Sequence, residues 1–184
     1  MSAAGIAMFY GASDVETTVA ETAKLGDKVA SVGRFVTDEA SWVVDLDKIP
    51  ETPSIFDEPN RHKRRPLRFL HRFREDIGKP VERDGREHIE YVPTQIVTEY
   101  LRLIYRLPQT DNPPLNGLVF TSSKTGGQNI ALFVPNEDCL DQDEHPETVG
   151  LHLVLEAAHA HDLSWPVKAG PARPIDDPGR KPPH

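Results

Sequence analysis

Three groups of residues in this chain combine side chains and spacing that can do chemistry. The first is Phe9-Tyr10-Gly11-Ala12-Ser13 followed by Glu21. A tyrosine can stack on a planar ring and hydrogen-bond through its hydroxyl. A glutamate in the helix that follows can hold ribose hydroxyls or stabilise developing positive charge. The bland alternative makes Tyr10 a core residue and Glu21 part of a solvated helix face. On pattern alone the bland alternative is the stronger for both.

The second group is Gly117-Leu118-Val119-Phe120-Thr121-Ser122-Ser123, then Gly126-Gly127-Gln128-Asn129. A strand running into serines and a glycine pair brings hydroxyls and bare amides together, as phosphate and ribose sites require. The same residues also make an ordinary polar hairpin turn. The Gly-Lys-Ser/Thr ending of a Walker A loop is absent. The third group is Tyr91-Val92-Pro93-Thr94-Gln95. Thr94 reads as a residue that satisfies free amides in a helix's first turn. Gln95 can do that or face a ligand.

These residues need elements to position them. Ile6 to Tyr10 reads as a buried strand. Ser13, with Glu16 three residues on, has capping-box spacing and predicts a helix carrying Val15, Val19 and Ala23, closed by Gly26. Val29–Val36 and Ser41–Leu46 read as strands, and the proline-bearing stretch Ile49–Pro59 as loop. Leu67, Leu70, Phe73 and Ile77 mark one face of a helix over Arg65–Ile77. Pro93 opens another helix, with Ile96, Val97, Tyr100, Leu101 and Ile104 as its apolar stripe. After a break at Pro108–Pro114, Gly117–Thr121 and Asn129–Val134 read as strands, and Gly150–Glu156 as a last one. Strands and helices without strict βαβ alternation predict an α+β fold, a mixed sheet with flanking helices. Residues 1–163 form the expected domain. Residues 164–184, rich in proline and poor in apolar side chains, are expected to be a disordered tail.

Composition narrows the function. The net charge of −8 disfavours a polyanion such as nucleic acid as partner. The single cysteine, Cys139, excludes an internal disulfide and a thiolate zinc cluster, and its acidic neighbours predict a raised thiol pKa. No apolar run approaches membrane-helix length and no secretory leader opens the chain, so the expected compartment is the cytoplasm. His159-Ala160-His161, taken on a helix, points to different faces, no HExxH occurs, and no metal is expected.

The order and combination of the three groups resemble the RES-domain family, named for an arginine, a glutamate and a serine. Glu21 lies eleven positions after Tyr10, the family's spacing between its tyrosine and its glutamate. Gly117, Phe120 and Ser122, followed by Asn129-Ile130-Ala131-Leu132-Phe133, match the family's closing pattern. Tyr91-Val92-Pro93-Thr94-Gln95 is similar to a segment found in one branch. The likeness spans roughly residues 5 to 135.

The resemblance implies NAD as substrate, a fold similar to ADP-ribosyltransferases, and a toxin-like role, often with a protein antitoxin as partner. It implies Glu21 and Ser122 as catalytic residues, with Tyr10, Gln95 and Asn129 contacting NAD. The bond broken would join nicotinamide to ribose. Water as acceptor makes a glycohydrolase, phosphate a phosphorylase, and a protein side chain a transferase. The family's arginine stands just before a segment like the one that opens this chain, so no residue here takes that role. A misassigned start and an N-terminally truncated domain are the two readings of this, and the chain as given is expected to show weak or absent activity, since one lost phosphate contact costs a few kcal/mol, about a hundredfold in rate.

A rival reading is a binding or regulatory module. Residues 61–74 hold seven of the 21 basic residues and no acidic one. Such a block can contact a protein partner or nucleic acid, or can be the solvated side of an amphipathic helix, the favoured alternative.

Overall fold

A computed structural model describes residues 7–78, 92–108, 111–164, 166 and 168–175. Among these, the strands are β1 (Phe9–Ala12), β2 (Val29–Thr37), β3 (Val43–Asp45), β4 (Gly117–Thr121), β5 (Gln128–Leu132), β6 (Cys139–Leu140), β7 (Leu153–Ser164) and β8 (Lys168–Arg173). The α-helices are α1 (Val15–Thr22), α2 (Arg64–Gly78) and α3 (Val92–Leu103).

The strands form two mixed sheets flanked by helices, an α+β fold. In the first the order is β1-β5-β4-β3, with β3 parallel to β4 and the other pairs antiparallel. In the second β7 lies between β2 and β6, and β8 also pairs with β7.

The register of the first sheet decides what its two faces carry. Tyr10, Ala131 and Leu118 form one cross-strand row, and Ala12, Asn129 and Phe120 the next. Opposed residues share a face and so do alternate residues along a strand. Leu118, Phe120 and Ala131 therefore point one way, into a cluster with Leu46, Phe73 and Ile77, which Val97 and Leu101 complete. Phe9, Ile130 and Leu132 point the other way, into Phe35, Val134 and Leu153. Phe9 meets Phe35 edge to face, with centroids 5.0 Å apart. With α2 and α3 on one side and the second sheet on the other, β4 and β5 are covered on both faces. This explains why 117–121 and 129–134 are nearly continuous apolar runs.

Several expectations need correction. Asp14, not Ser13, caps α1: its carboxylate accepts from the Thr17 amide at 2.7 Å. The Ser13 amide is already used, donating to the Gln128 carbonyl of β5 at 3.0 Å. The helix stops at Thr22, and Gly26 (φ +100°) instead serves the following turn. The first strand starts at Phe9, and Tyr10 is 46% exposed rather than core; Ile6 lies outside the described residues.

In α3 the stripe divides. Val97 and Leu101 pack inward beside Thr94 and Thr98, both buried, whereas Ile96, Tyr100 and Ile104 are exposed. Two threonines can sit at the buried positions because the Thr98 hydroxyl donates to the Thr94 carbonyl at 2.8 Å.

The last predicted strand is longer and later, β7, and His159-Ala160-His161 lies on it rather than on a helix. Nor is the stretch after residue 163 all tail. Lys168–Arg173 forms β8, an edge strand on which glycine, proline and poor apolar content are tolerated. The carbonyl of Gly170 there is 2.8 Å from the His161 ring. The rest of the expected tail, 176–184, lies outside the described residues.

Candidate functional site

Three of the five site residues read from the sequence meet at one carboxylate. The Ser122 hydroxyl donates to Glu21 Oε1 at 2.6 Å, and the Asn129 side-chain amide donates to the same oxygen at 2.9 Å. Each comes from a different element. Glu21 is near the end of α1, Ser122 follows the last residue of β4, and Asn129 is in β5.

The hairpin between β4 and β5 sets this meeting. The Ser122 amide donates to the Gly127 carbonyl at 2.7 Å, and the Gly126 amide returns to the Ser122 carbonyl at 2.9 Å. Gly126, at φ +78°, takes the left-handed conformation that closes the turn. Gly127 is needed for space. A methyl there would strike the Thr17 hydroxyl, which bonds to Asp14 and Thr125 at 2.9 Å each. The turn thus lies directly against the start of α1, and Ser122 is left only 2% exposed beneath it.

Lys124, which sequence reasoning treated only as a turn residue, completes the arrangement. Its ammonium lies 3.4 Å from Glu21 Oε2 and donates to the carbonyls of Ala20 (2.8 Å) and Glu21 (3.2 Å). A cation at the open carbonyls of a helix end is favourable in itself. Here it also steadies the carboxylate. The only signal for it was its place two residues after Ser122.

Burial of Glu21 alone would raise its pKa. The hydrogen bonds from Ser122 and Asn129 and the charge of Lys124 outweigh that and bring it below its ordinary value. Glu21 is therefore ionised at neutral pH, and its side chain keeps 30% exposure. An ionised, part-exposed carboxylate with one oxygen doubly anchored can stabilise positive charge nearby or accept from sugar hydroxyls.

Tyr10 belongs to the same sheet face as Asn129, one row away and on the neighbouring strand. Such diagonal neighbours are about 7–8 Å apart, within reach of an aromatic ring. Its hydroxyl contacts Met8 Sδ at 3.9 Å. Gln95 is half-buried on α3, which packs on α2. Cys139 has a raised thiol pKa, from burial and then from Asp138 and Glu137, so it is a poor nucleophile. Among the described residues no group of three His, Cys, Asp or Glu is set to hold a metal ion, and no helix is long and apolar enough to cross a membrane.

A family model described as the RES domain matches residues 1–159. The chain belongs to the RES-domain family. No curated protein and no solved structure matches it.

Proposed function

We propose that this chain is an NAD-consuming enzyme of the RES family that cleaves the bond between nicotinamide and ribose, in a toxin-like role, with similarity to the ADP-ribosyltransferase fold as part of the reading. The observation that carries it is the Glu21 carboxylate anchored by Ser122 and Asn129. Breaking this bond builds positive charge on the sugar, as in glycoside cleavage. A fixed negative charge beside that carbon lowers the barrier without reorganising.

The residues present suit such a substrate. Tyr10 offers an exposed ring to a planar base. The second oxygen of Glu21, held only by the Lys124 ammonium at 3.4 Å, has lone pairs for ribose hydroxyls. Ser122 and Asn129 direct their hydrogens at Glu21, so their first role is to orient it. Gln95 is the weakest of the proposed contacts. Membership of the family also favours a neutralising protein partner.

The acceptor decides the reaction's name, and product analysis tests it. The chain is incubated with NAD in phosphate-free buffer and with added inorganic phosphate, and products are separated by chromatography and weighed by mass spectrometry. ADP-ribose in both buffers identifies a glycohydrolase. A phosphorylated ADP-ribose formed only with phosphate identifies a phosphorylase. Intact NAD after prolonged incubation, with folded protein both as the given chain and as a version extended upstream to supply the family's arginine, overturns the reading.

A further inference from the structure

At the start of α2 a second feature stands apart from Glu21. A cavity of about 650 Å³ is lined by Glu58, Arg61, His62, Arg64, Arg65 and Arg68. It is open to solvent, since every lining residue but the half-buried Arg64 is exposed. Four guanidinium groups converge on it, and the balance of charge inside is poor. Arg61 reaches Glu58 only at 3.8 Å, with both side chains 76% exposed. Among the described residues Arg65 and Arg68 have no ion-pair partner, and the buried Nε of Arg64 has no hydrogen-bond partner. The first turn of α2 holds no acidic residue, although that end of a helix favours negative charge. Like charges gathered there repel one another, and an anion between them would reverse that cost.

We propose that this cavity binds a small anion carrying two or more phosphates, with Arg64, Arg65 and Arg68 as its main donors. Guanidinium groups suit phosphate because their donors form a planar fork. A compact anion is favoured over nucleic acid for two reasons. Four of the arginines of 61–74 line one concavity. A long polyanion would also meet the rest of a surface whose net charge is −8. The site is separate from the Glu21 carboxylate. Helix α2 runs from this cavity to the Thr121 carbonyl beside Gly78, and at 1.5 Å per residue it is roughly 20 Å long. A ligand here would therefore sit at the opposite end of α2 from the Glu21 group.

Calorimetric titration of the full chain with pyrophosphate, tripolyphosphate, ADP and ATP tests this. Saturable pyrophosphate binding is expected. It should weaken about tenfold or more in Arg65→Ser/Arg68→Ser, as charged hydrogen bonds are lost, and stay unchanged in Glu21→Gln. Arg61→Ser, at a more exposed position, gives a second and milder loss should the double variant melt early. Equal affinity for tripolyphosphate and ATP identifies the free polyphosphate as the source of the group; a preference for ATP identifies a nucleotide. No saturable binding of any of the four at about 1 mM, binding indifferent to the arginines, or tighter binding of a short single-stranded RNA would each overturn the proposal.

Discussion

Ser122 and Glu21 stand 101 positions apart in the chain and share a 2.6 Å hydrogen bond. The bond exists because a tight turn lies against a short helix, and each depends on the other. An O–H···O⁻ contact of this length is among the stronger hydrogen bonds of a protein. The consequences are testable one by one.

The Glu21 pKa is depressed on folding, from an ordinary value of 4.5. A depressed carboxylate contributes stability that is fully present above its unfolded pKa and is lost as pH falls through the folded one. The melting-temperature difference between wild type and Glu21→Gln should thus be full at neutral pH and shrink below about pH 4.5. A difference that stays constant down to strongly acidic pH would show that the carboxylate is not held as described.

Lys124 lowers the Glu21 pKa by its charge. In Lys124→Met that contribution disappears and the carboxyl titrates at higher pH. Any activity that needs ionised Glu21 should then show its acid limb displaced upward, while Lys124→Arg stays near wild type. Coincident pH profiles for Met and wild type would remove Lys124 from the site.

Gly127→Ala sets a methyl against the Thr17 hydroxyl. Overpacking of this kind costs about 1–3 kcal/mol. Chemical denaturation should show that loss. Thr17→Ala in the same chain should recover part of it, because the obstructing hydroxyl is gone. An unchanged midpoint for Gly127→Ala would mean the turn does not lie on α1.

Asp38 and His152 form a clamp where β2 ends and β7 begins. The His152 ring, 3% exposed, lies 2.7 Å from the Asp38 carboxylate at Nδ1 and 3.1 Å from the Thr148 hydroxyl at Nε2. The same carboxylate accepts from the His152 amide at 2.9 Å. Removing one partner leaves a buried polar group unsatisfied, which costs about 1–3 kcal/mol. Asp38→Ala should lose that much stability by denaturant titration, with little effect at the Glu21 site.

How much of this was written in the sequence differs from residue to residue. The amphipathic Arg65–Ile77 helix and the apolar runs of β4 and β5 carry their own periodicity, so they read directly. Glu21, Ser122 and Asn129 stood out only through the family resemblance that their order and spacing carry, since each alone reads as an ordinary helix, turn or strand residue, and their convergence on one oxygen is what folding adds. Lys124 was not legible, because a lysine in a polar turn has no pattern of its own and its partner lies about a hundred residues away. Asp14 was passed over for Ser13 since both can cap a helix, and the bond of the Ser13 amide to β5 keeps that residue with the strand, so that the helix starts one residue later. Strand β8 defied its composition because pairing with β7, a tertiary effect, supplies what its side chains lack. The exposed half of the α3 stripe shows the same limit: periodicity finds an apolar face but not which part of it the sheet covers.

Under the proposed function, Glu21 stabilises the charge that builds as the nicotinamide–ribose bond breaks. The most direct measurement is nicotinamide release from NAD with protein in excess, so that even slow cleavage registers in a single turnover. Wild type, Glu21→Gln and Ser122→Ala are compared, each shown to be folded by circular dichroism. Release by wild type, slowed about a hundredfold or more in Glu21→Gln and about tenfold in Ser122→Ala, is the predicted result. Equal release by wild type and Glu21→Gln would contradict it, as would no release from folded protein both as the given chain and extended upstream to supply the family's arginine.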